Sequence, residues 1–392
     1  MSIAITNIGS LVTNDQSLGS GILGEIENAA VVIENDKIAW VGNTSDVPSS
    51  DKNIDVSGKA VIPGFVDSHA HLLFAGERSK EFQARMKGEK YSAGGIKSTV
   101  AATREATDRE LEQNMLKLVR EMQKSGITTF ETKSGYGLTT AEETRALEIA
   151  SKHTAETTFL GAHVVPSEYA GKEDKYVELV TGEMLDSVLP FARWIDVFCD
   201  QGAFDVDQSR QILQAGIDKG LLPRIHANQL TQGGGVQLAV ELDCASADHC
   251  THLSDKDIDA LAGSNTVATL VPGAEFSTRA NYPNAAKLFD AGVTVALATD
   301  CNPGSSYTTS MPFCIAIAIR EMGFRPDQAL YAATMGGAKA LRRTDVGSLA
   351  VGQSADLVIL NAPSYLHLGY RPGVDLVSEV FKSGKSIYQE QK

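Results

Sequence analysis

Eight short apolar runs alternate with amphipathic segments through the middle of the chain, and this alternation constrains the fold more than any other feature. The runs lie at residues 60–66, 127–131, 157–162, 194–198, 222–225, 245–247, 267–271 and 293–298. Each run is mostly apolar on both faces, as strands of a parallel sheet covered on both sides should be. Eight strand-then-helix units predict a closed (β/α)8 barrel of the TIM type, and a doubly wound open sheet is the alternative.

The segments between the runs carry the start and stop signals of helices. Residues 107–126 have apolar side chains at helical spacing, a capping box formed by Thr107 and Glu110, and a glycine at the end. Thr140 and Glu143 predict a second capping box, at the start of the next helix. A helix after each strand is what the barrel requires.

The two ends of the chain have a different pattern, in which apolar runs flank an Asn-Asp turn near the N-terminus and a Ser-Gly turn near the C-terminus. Such turns are typical of β-hairpins. A segment of about 50 residues is marginal as a domain of its own. We therefore expect residues 1–60 and 345–392 to pair into one small β-sandwich domain beside a barrel formed by residues 61–344.

The net charge of the chain limits the classes of molecule that it is expected to bind. The 35 Lys and Arg residues against 49 Asp and Glu residues give a net charge of −14. A protein of this charge repels phosphate backbones and anionic lipid surfaces, so neither nucleic acid nor a membrane is expected as a partner. An acidic protein that handles a small anion needs an arginine where the anion binds.

Three absences lead us to expect a cytoplasmic protein. No stretch approaches the roughly 18 continuous apolar residues of a membrane helix. The N-terminus lacks the basic and apolar regions of a signal peptide. The five cysteines are an odd number without a CxxC pair, which argues against a disulfide framework and a zinc ribbon.

His69 and His71 follow the first apolar run. On an extended strand, residues two apart point the same way, so both imidazoles can reach one metal ion. An HxH pair alone is weak evidence, because a single buried histidine is more often a hydrogen-bonded core residue. The pair gains weight because other runs are followed by polar residues in the same way, namely His163, His226, His249 and Asp300.

Polar side chains at the carboxyl ends of barrel strands converge on one mouth of the barrel. Imidazoles with a carboxylate suit zinc, with iron as the alternative. We interpret four of these residues as ligands of a single divalent metal ion: His69, His71, His226 and Asp300. A second ion is not expected, because the lysine that bridges two metals would end the fourth run, and in this chain Lys133 follows the second run instead.

Longer motifs make the pattern more specific, namely FVDSHAHLLFAGER, ETKSGYGL, GAHVVPSEY, HANQLTQGGG, SADHCTHL and TDCNPGSSYTTSMP. Together they resemble the amidohydrolase superfamily, in consistent order from about residue 60 to 345. Within it, the chain is similar to the metal-dependent enzymes that hydrolyse the cyclic amide C–N bond of 4-imidazolone-5-propanoate to N-formimidoyl-L-glutamate in histidine degradation. An HxH pair with a distal TD marks the superfamily only, whereas SGYGL, HANQ and DCNPGSS are more specific.

This resemblance implies a mononuclear site with the four ligands named above, an anionic small-molecule substrate and a homodimer. It also implies substrate contacts from Arg78, Tyr136, His163, Gln229, Asn302, Gly304 and Ser305. Two departures from the family pattern are visible. The stretch around Tyr91 is a few residues shorter, and Gln229 stands where some relatives carry Glu, so a carboxylate base is not assumed there.

The implied reaction requires a strong nucleophile, a polarised carbonyl and a proton for the leaving nitrogen. We expect Asp300 to accept a proton from the attacking water and to deliver it to that nitrogen. His249 and His163 are the two candidates for hydrogen-bonding the carbonyl oxygen as negative charge develops, and their spacing does not decide between them. Arg78 offers a planar fork for the propionate.

Glycines shape two of the expected substrate contacts. Tyr136 lies between two glycines, which let the backbone bend and expose the phenol to the ring or the carboxylate. Residues 302–305 read Asn-Pro-Gly-Ser, and Gly304 permits a positive φ there. We expect this loop to present backbone N–H and amide groups to the substrate, although the same residues also suit an ordinary turn before a helix.

Two other functions are alternatives. A deaminase or deiminase of the same superfamily would act on an uncharged base and would not need Arg78. A catalytically silent, metal-binding scaffold would show a damaged ligand set, and all four expected ligands are present in this chain.

Overall fold

The strands of the middle segment curl into a closed parallel barrel in the computed structural model, which describes residues 2–88 and 95–390. The architecture is the (β/α)8 barrel expected from the sequence, and the open-sheet alternative is wrong. The loop around Tyr91, where the family pattern is shortened, lies outside the described residues.

Strands and helices alternate through most of the described part of the chain. The strands are β1 (Ser2–Val12), β2 (Glu25–Glu34), β3 (Lys37–Asn43), β4 (Lys52–Asp55), β5 (Val61–Pro63), β6 (Phe65–Asp67), β7 (Ile127–Phe130), β8 (Thr132–Lys133), β9 (Thr157–Ala162), β10 (Trp194–Cys199), β11 (Leu222–Pro223), β12 (Ile225–Ala227), β13 (Ser246–His249), β14 (Val267–Leu270), β15 (Val295–Leu297), β16 (Leu357–Leu360), β17 (Val377–Lys382) and β18 (Lys385–Gln389). The helices are α1 (Ser79–Met86), α2 (Ile96–Glu105), α3 (Asp108–Lys124), α4 (Thr140–Ser151), α5 (Glu173–Leu179), α6 (Leu185–Val188), α7 (Val206–Asp218), α8 (Gly235–Glu241), α9 (Asp255–Ala262), α10 (Pro272–Thr278), α11 (Ala285–Asp290), α12 (Met311–Glu321), α13 (Pro326–Tyr331), α14 (Gly337–Ala340) and α15 (His367–Tyr370). Within the residues that the structure describes, no helix combines the length and apolar composition needed to span a bilayer.

Neighbouring barrel strands pair in parallel. Their order around the barrel is β6, β7/β8, β9, β10, β11/β12, β13, β14 and β15, where a slash joins two consecutive segments that occupy one position. The ring closes where the chain after β15 returns to the chain after β6. The N–H of Asp300 donates to the carbonyl of His69 at 2.9 Å, and the N–H of His71 donates to the carbonyl of Cys301 at 2.9 Å. This seam places Asp300 directly beside the two histidines.

The first predicted strand, at residues 60–66, is two strands in the structure. β5 pairs with β16 of the terminal sheet, whereas β6 pairs with β7 of the barrel. Gly64 lies between them, and a Cβ at this position would overlap the side chain of Thr128. The expectation of one continuous strand was wrong, because a run of apolar residues does not reveal that two different sheets share it.

The two ends of the chain pair with each other, as expected, and they do so in one sheet of eight strands that includes β5, from the segment assigned to the barrel. Its order is β18-β17-β16-β5-β1-β2-β3, and β4 pairs with the first half of β1. The expected turns are present, because Asn35-Asp36 joins β2 to β3, and Ser383-Gly384 joins β17 to β18 with a positive φ at both residues. This sheet has an apolar core of its own, which includes the fully buried Ile5.

Helix α3 illustrates how the helices cover the barrel. Its expected capping box is present, since Thr107 accepts from the N–H of Glu110 and the Glu110 carboxylate accepts from the N–H of Thr107 at 2.8 Å. Its apolar stripe is buried and consists of Leu111, Met115, Leu118, Val119 and Met122. These side chains join the main core of the barrel, where burial of a large apolar side chain contributes about 1.5–3 kcal/mol.

Candidate metal centre and active site

The four expected ligands lie together at the C-terminal mouth of the barrel, and all are buried: His69, His71, His226 and Asp300. Oδ1 of Asp300 lies 3.5 Å from Nε2 of His69 and 3.6 Å from Nε2 of His71. Nε2 of His71 lies 3.4 Å from Nε2 of His226. Ligand atoms about 2.0–2.2 Å from one ion, at the corners of a tetrahedron, lie about 3.3–3.6 Å apart. These three separations have the length expected between ligands of one tetrahedral ion. Ligand atoms of His69, His226 and His249 also lie within 4.8 Å of one another, so His249 borders the same centre.

The second nitrogens of two of these histidines are held by buried carboxylates. Nδ1 of His69 donates to Oδ2 of Asp248 at 2.7 Å, and Nδ1 of His226 donates to Asp196 at 3.1 Å. A carboxylate only accepts, so each ring carries its proton on Nδ1 and directs an Nε2 lone pair at the centre. Nε2 of His69 is buried without a hydrogen-bond partner. A buried lone pair of this kind is unfavourable unless it coordinates an ion, so the residues fit a divalent metal.

Burial dominates the protonation of the cluster. It lowers the pKa of His69 and of His71 well below the ordinary value, so both imidazoles are neutral and can act as ligands. It raises the pKa of Asp300 well above the ordinary value of a carboxyl group. Asp300 therefore needs a nearby positive charge to be ionised at neutral pH, and a divalent cation at this position supplies one.

A narrow cavity opens at the cluster, and His71, His226 and Asp300 form part of its wall. The cavity is lined by polar residues that include most of the expected substrate contacts: Arg78, Tyr136, His163, Gln229, Asn302, Ser305 and also His249. Ile96, Val164 and Phe198 add apolar wall. Gly304 is not among the described lining residues, but it packs against Arg78.

His163 and His249 both lie beside the metal cluster. The ring of His163 stacks on that of His71 with 5.3 Å between centroids, and the ring of His249 lies 5.3 Å from that of His226. Nδ1 of His163 lies 3.0 Å from the carbonyl oxygen of Gly135, which can only accept a hydrogen bond. Burial lowers the pKa of His163 to about 3, so the neutral ring keeps its proton on Nδ1 and offers a lone pair at Nε2. A lone pair cannot donate to a carbonyl oxygen, so His163 in this tautomer does not suit that task, and His249 is the remaining candidate.

Arg78 immediately precedes α1, and its side chain is buried. Its Nε and Nη2 donate to the Glu81 carboxylate at 3.0 and 2.6 Å. Its Nη1 lies against Gly304, where a Cβ would overlap it. Gly304 is thus required for the close approach of the guanidinium. Its φ is not positive, so the conformational reason expected from the sequence was wrong.

The loop that follows Asp300 is held by its own side chains. Oδ1 of Asn302 accepts from the N–H groups of Gly304 and Ser305 at 2.8 Å each, and Nδ2 donates to the carbonyl of Asp300 at 2.7 Å. Arg85 adds a hydrogen bond from Nη2 to the carbonyl of Gly304 at 2.9 Å. The two backbone N–H groups are engaged within the loop. The expectation that they face the substrate was wrong, because the Asn302 side chain closes an Asx turn over them.

Helix α4 begins differently from the sequence expectation. Its N-cap is Thr139, whose side chain accepts from the N–H of Glu142 at 3.3 Å. The capping box expected at Thr140 and Glu143 was wrong, because Glu143 is fully buried and turns toward the preceding loop rather than toward the helix start.

The Glu143 carboxylate holds the loop that carries Tyr136. It accepts from the N–H groups of Gly135, Gly137 and Leu138 at 2.9, 2.9 and 2.7 Å. Burial nevertheless raises the pKa of Glu143, and these hydrogen bonds oppose that rise. The two glycines around Tyr136 thus allow a bend whose N–H groups are collected by one carboxylate, which places the phenol in the cavity wall.

Sequence reasoning did not assign a role to five charged residues around the cluster. All are buried, and they are Glu131, Lys133, Asp196, Arg224 and Asp248. Burial alone would raise the pKa of Asp248, but Arg224 and Lys133 outweigh it and leave the pKa below the ordinary value. For Asp196 the neighbouring His226 and Lys133 have the same effect against burial. A charged residue within or directly beside an apolar run was the signal that could have found them.

Comparison with known proteins agrees with this geometry. The chain matches the model of the amidohydrolase family over residues 60–387. An imidazolonepropionase of Streptomyces griseus is 63% identical over 385 residues, which cover 98% of this chain and 99% of the relative. An imidazolonepropionase of Mycolicibacterium smegmatis is 63% identical over 390 residues, which cover 100% of this chain and 98% of the relative.

Solved structures share the fold at much lower identity. The atrazine chlorohydrolase of Arthrobacter aurescens complexed with zinc has a TM-score of 0.71 and 17% identity, and the match covers 99% of this chain and 95% of that one. An adenosine deaminase from Xanthomonas campestris with bound zinc has a TM-score of 0.73 and 18% identity, with 99% and 93% covered. At these identities the likeness shows the fold alone.

Proposed function

Because the chain belongs to the amidohydrolase family, and within it to the imidazolonepropionases, we propose that its buried cluster holds one divalent metal ion, with zinc as the metal and iron as the alternative. The enzyme hydrolyses the cyclic amide C–N bond of 4-imidazolone-5-propanoate to give N-formimidoyl-L-glutamate in histidine degradation. The deaminase, deiminase and silent-scaffold alternatives find no support among relatives of this identity.

The separations of 3.4–3.6 Å between ligand atoms are the observation that carries the metal proposal. His69, His71, His226 and Asp300 would hold the ion. Such an ion acts as a Lewis acid and lowers the pKa of a water molecule from about 15.7 to about 7. The fourth barrel strand ends without a lysine, which supports one ion rather than two.

Asp300 is the proton carrier in this proposal. It is the one carboxylate among the described residues that line the cavity, and Gln229 cannot titrate. Its Oδ1 faces the ring nitrogens of His69 and His71, while its Oδ2 lies 3.4 Å from the hydroxyl of Ser305. Oδ1 would therefore be the metal ligand, and Oδ2 accepts a proton from water and delivers it to the leaving nitrogen.

The two further histidines divide the work around the imidazolone ring. His249 donates to the carbonyl oxygen as it becomes negative, a contribution commonly worth about 2.7–4 kcal/mol. His163 accepts from a ring N–H through its Nε2 lone pair. The amide of Gln229 can donate and accept, so it orients the ring without taking a proton.

Arg78 and Tyr136 bind the propionate. Glu81 occupies the Nε and Nη2 edge of the Arg78 guanidinium without lining the cavity, so the N–H groups of Nη1 and the second N–H of Nη2 bind the propionate. Asn302, Gly304 and Ser305 shape the loop beside the guanidinium rather than offering the backbone donors first expected of them.

The proposal includes a homodimer located in the cytoplasm. All five cysteines are unpaired and buried, which is typical of proteins in a reducing compartment. Sedimentation equilibrium of the purified protein measures the assembly, and a monomer at micromolar concentration would contradict that part.

Metal content tests the central proposal. We expect elemental analysis of the purified, active enzyme to find about one equivalent of divalent metal per chain, with zinc as the main element. Changing His226 to Ala removes one ligand and should reduce that content strongly. Active enzyme with no metal, or with two equivalents, would contradict a mononuclear centre.

Changing Glu143 to Ala should destabilise the enzyme and raise KM. The change leaves three buried N–H groups without an acceptor, and each such group costs about 1–3 kcal/mol. We expect the free energy of unfolding to fall by about 3 kcal/mol or more. We expect KM to rise about tenfold, because Tyr136 loses its position. Denaturant titration and steady-state kinetics measure the two effects. Glu142→Ala, a change one residue away on the same helix, is the control and should leave KM unchanged.

A further inference from the structure

A buried lysine lies behind one of the metal ligands. Nζ of Lys133 lies 2.9 Å from Oδ2 of Asp196, and Asp196 accepts from Nδ1 of His226 at 3.1 Å. The side chains of Lys133 and Asp196 are 0% exposed. The imidazole, the carboxylate and the ammonium group form a chain that ends at β8, outside the strand β12 that carries the histidine.

A buried arginine occupies the corresponding place behind a second ligand. Nη2 of Arg224 lies 3.1 Å from Oδ2 of Asp248, and the same oxygen accepts from Nδ1 of His69 at 2.7 Å. Nη2 of Arg224 also donates to the carbonyl of Ser68 at 2.6 Å and to the hydroxyl of Ser246 at 3.1 Å. The guanidinium is thereby fixed to the backbone directly before His69.

Glu131 joins the two chains. Its Oε1 lies 3.0 Å from Nζ of Lys133 and 3.8 Å from Nη1 of Arg224, and it also accepts from the hydroxyl of Thr158. Its Oε2 accepts from the N–H of Ala70 at 3.0 Å. Ala70 is the residue between the two ligand histidines that follow the first barrel strand, so the network also anchors the backbone of that pair.

The charge of this network suits a divalent ion. Three carboxylates and two cations leave one negative charge, and Asp300 adds a second. Buried charge is costly unless it is compensated, and an ion of charge +2 at the cluster balances the whole group. Neither Lys133 nor Arg224 lines the cavity, so neither touches the substrate.

We propose that Lys133 and Arg224 are positioning residues of the metal centre. Through Asp196 and Asp248 they fix the tautomer and the ring orientation of His226 and His69, and Glu131 couples the two so that they act as one unit. This inference rests on the proposed metal site. Partners that hold the second nitrogen of a ligand histidine typically change metal affinity about 10–100-fold.

Metal affinity of Lys133→Gln and Arg224→Gln tests the proposal. Metal-free enzyme competes for zinc with a chelator of known affinity, and circular dichroism of the metal-free protein reports its folding. We expect each variant to bind zinc about 10–100-fold more weakly than wild type while remaining folded. Lys133→Arg keeps the charge and should bind within a few-fold of wild type.

The control removes a buried carboxylate in the terminal sheet. Asp356 accepts from the hydroxyl of Ser354 at 2.8 Å and from the N–H of Ser383 at 2.7 Å, far along the chain from the metal cluster. Asp356→Asn should change stability and leave zinc affinity unchanged. The double variant Lys133→Gln/Arg224→Gln should lose less affinity than the product of the two single effects, because Glu131 couples them.

If Lys133→Gln and Arg224→Gln fold and bind zinc as tightly as wild type, this inference is overturned, and the proposed function is unaffected. If Lys133→Gln does not fold, Lys133→Met takes its place, because methionine keeps most of the length of the side chain without its charge. Weaker zinc binding by that variant supports the inference, and wild-type affinity overturns it. Wild-type protein that binds no divalent ion would instead overturn the proposed function from which the inference starts.

Discussion

Changing Asp300 to Asn should lower kcat by about a thousandfold or more while the protein stays folded. The amide keeps the size and one oxygen of the carboxyl group but cannot take up a proton. Positioned acid–base catalysis contributes about 10²–10⁴-fold, and no other carboxylate among the described residues lines the cavity to replace it. The decrease in absorbance on opening of the imidazolone ring measures kcat.

Metal content must be measured on the same Asp300→Asn sample, because Asp300 is also an expected ligand. A variant that retains most of its metal and loses its activity separates proton transfer from metal loss. Asp356→Asn is the matched control. Asp356 is a buried carboxylate at the terminal sheet and does not line the cavity, so the kcat of this variant should stay near the wild-type value. An Asp300→Asn enzyme with more than about a tenth of the wild-type kcat would refute the role of Asp300.

Changing Arg78 to Met should raise KM about 100-fold and lower kcat much less. Methionine fills similar space but removes the planar fork that pairs with a carboxylate. Truncating one partner of a buried charge pair costs about 2–5 kcal/mol, and about 2.7 kcal/mol corresponds to a factor of 100. Steady-state kinetics with 4-imidazolone-5-propanoate measure the change.

A substrate analogue without the propionate tail isolates the interaction. Arg78→Met and wild type should open that analogue with similar kcat/KM, because the tail is the only group that Arg78 is proposed to bind. Arg325→Met, a change at an exposed arginine paired with Asp327, controls for the loss of one positive charge. Gly304→Ala should mimic part of the Arg78 effect, since its Cβ would overlap Nη1 of Arg78. An unchanged KM in Arg78→Met would reject the proposed substrate contact.

The cluster of proposed metal ligands was predictable from the sequence because two local rules combine. The spacing of His69 and His71 places both rings on one side of a strand end, and residues that directly follow parallel strands share one mouth of a barrel. His226 and Asp300 each follow such a run, and the structure brings both into the cluster. These rules need only the position of each residue relative to its own strand.

The hydrogen bonds that define each side chain's role were not accessible in the same way. The tautomer of His163 depends on the carbonyl of Gly135, 28 residues earlier. The position of the Arg78 guanidinium depends on the lack of a side chain at Gly304, which lies far away along the chain. Motif likeness named these residues as substrate contacts, but it could not show which nitrogen carries a proton or why a glycine is needed.

By itself, the sequence determined the barrel, the terminal sheet, the expected ligand set and the family of the reaction. The barrel and the terminal sheet follow from the apolar periodicity of the chain, and the expected ligands from their positions directly after strands. The family of the reaction follows from the likeness of the longer motifs. Only the tertiary structure decided that Lys133 and Arg224 stand behind the ligands through Asp196 and Asp248. The physical reason is that buried charges pair across strands, and their partners depend on strand register and on closure of the barrel rather than on neighbours in sequence.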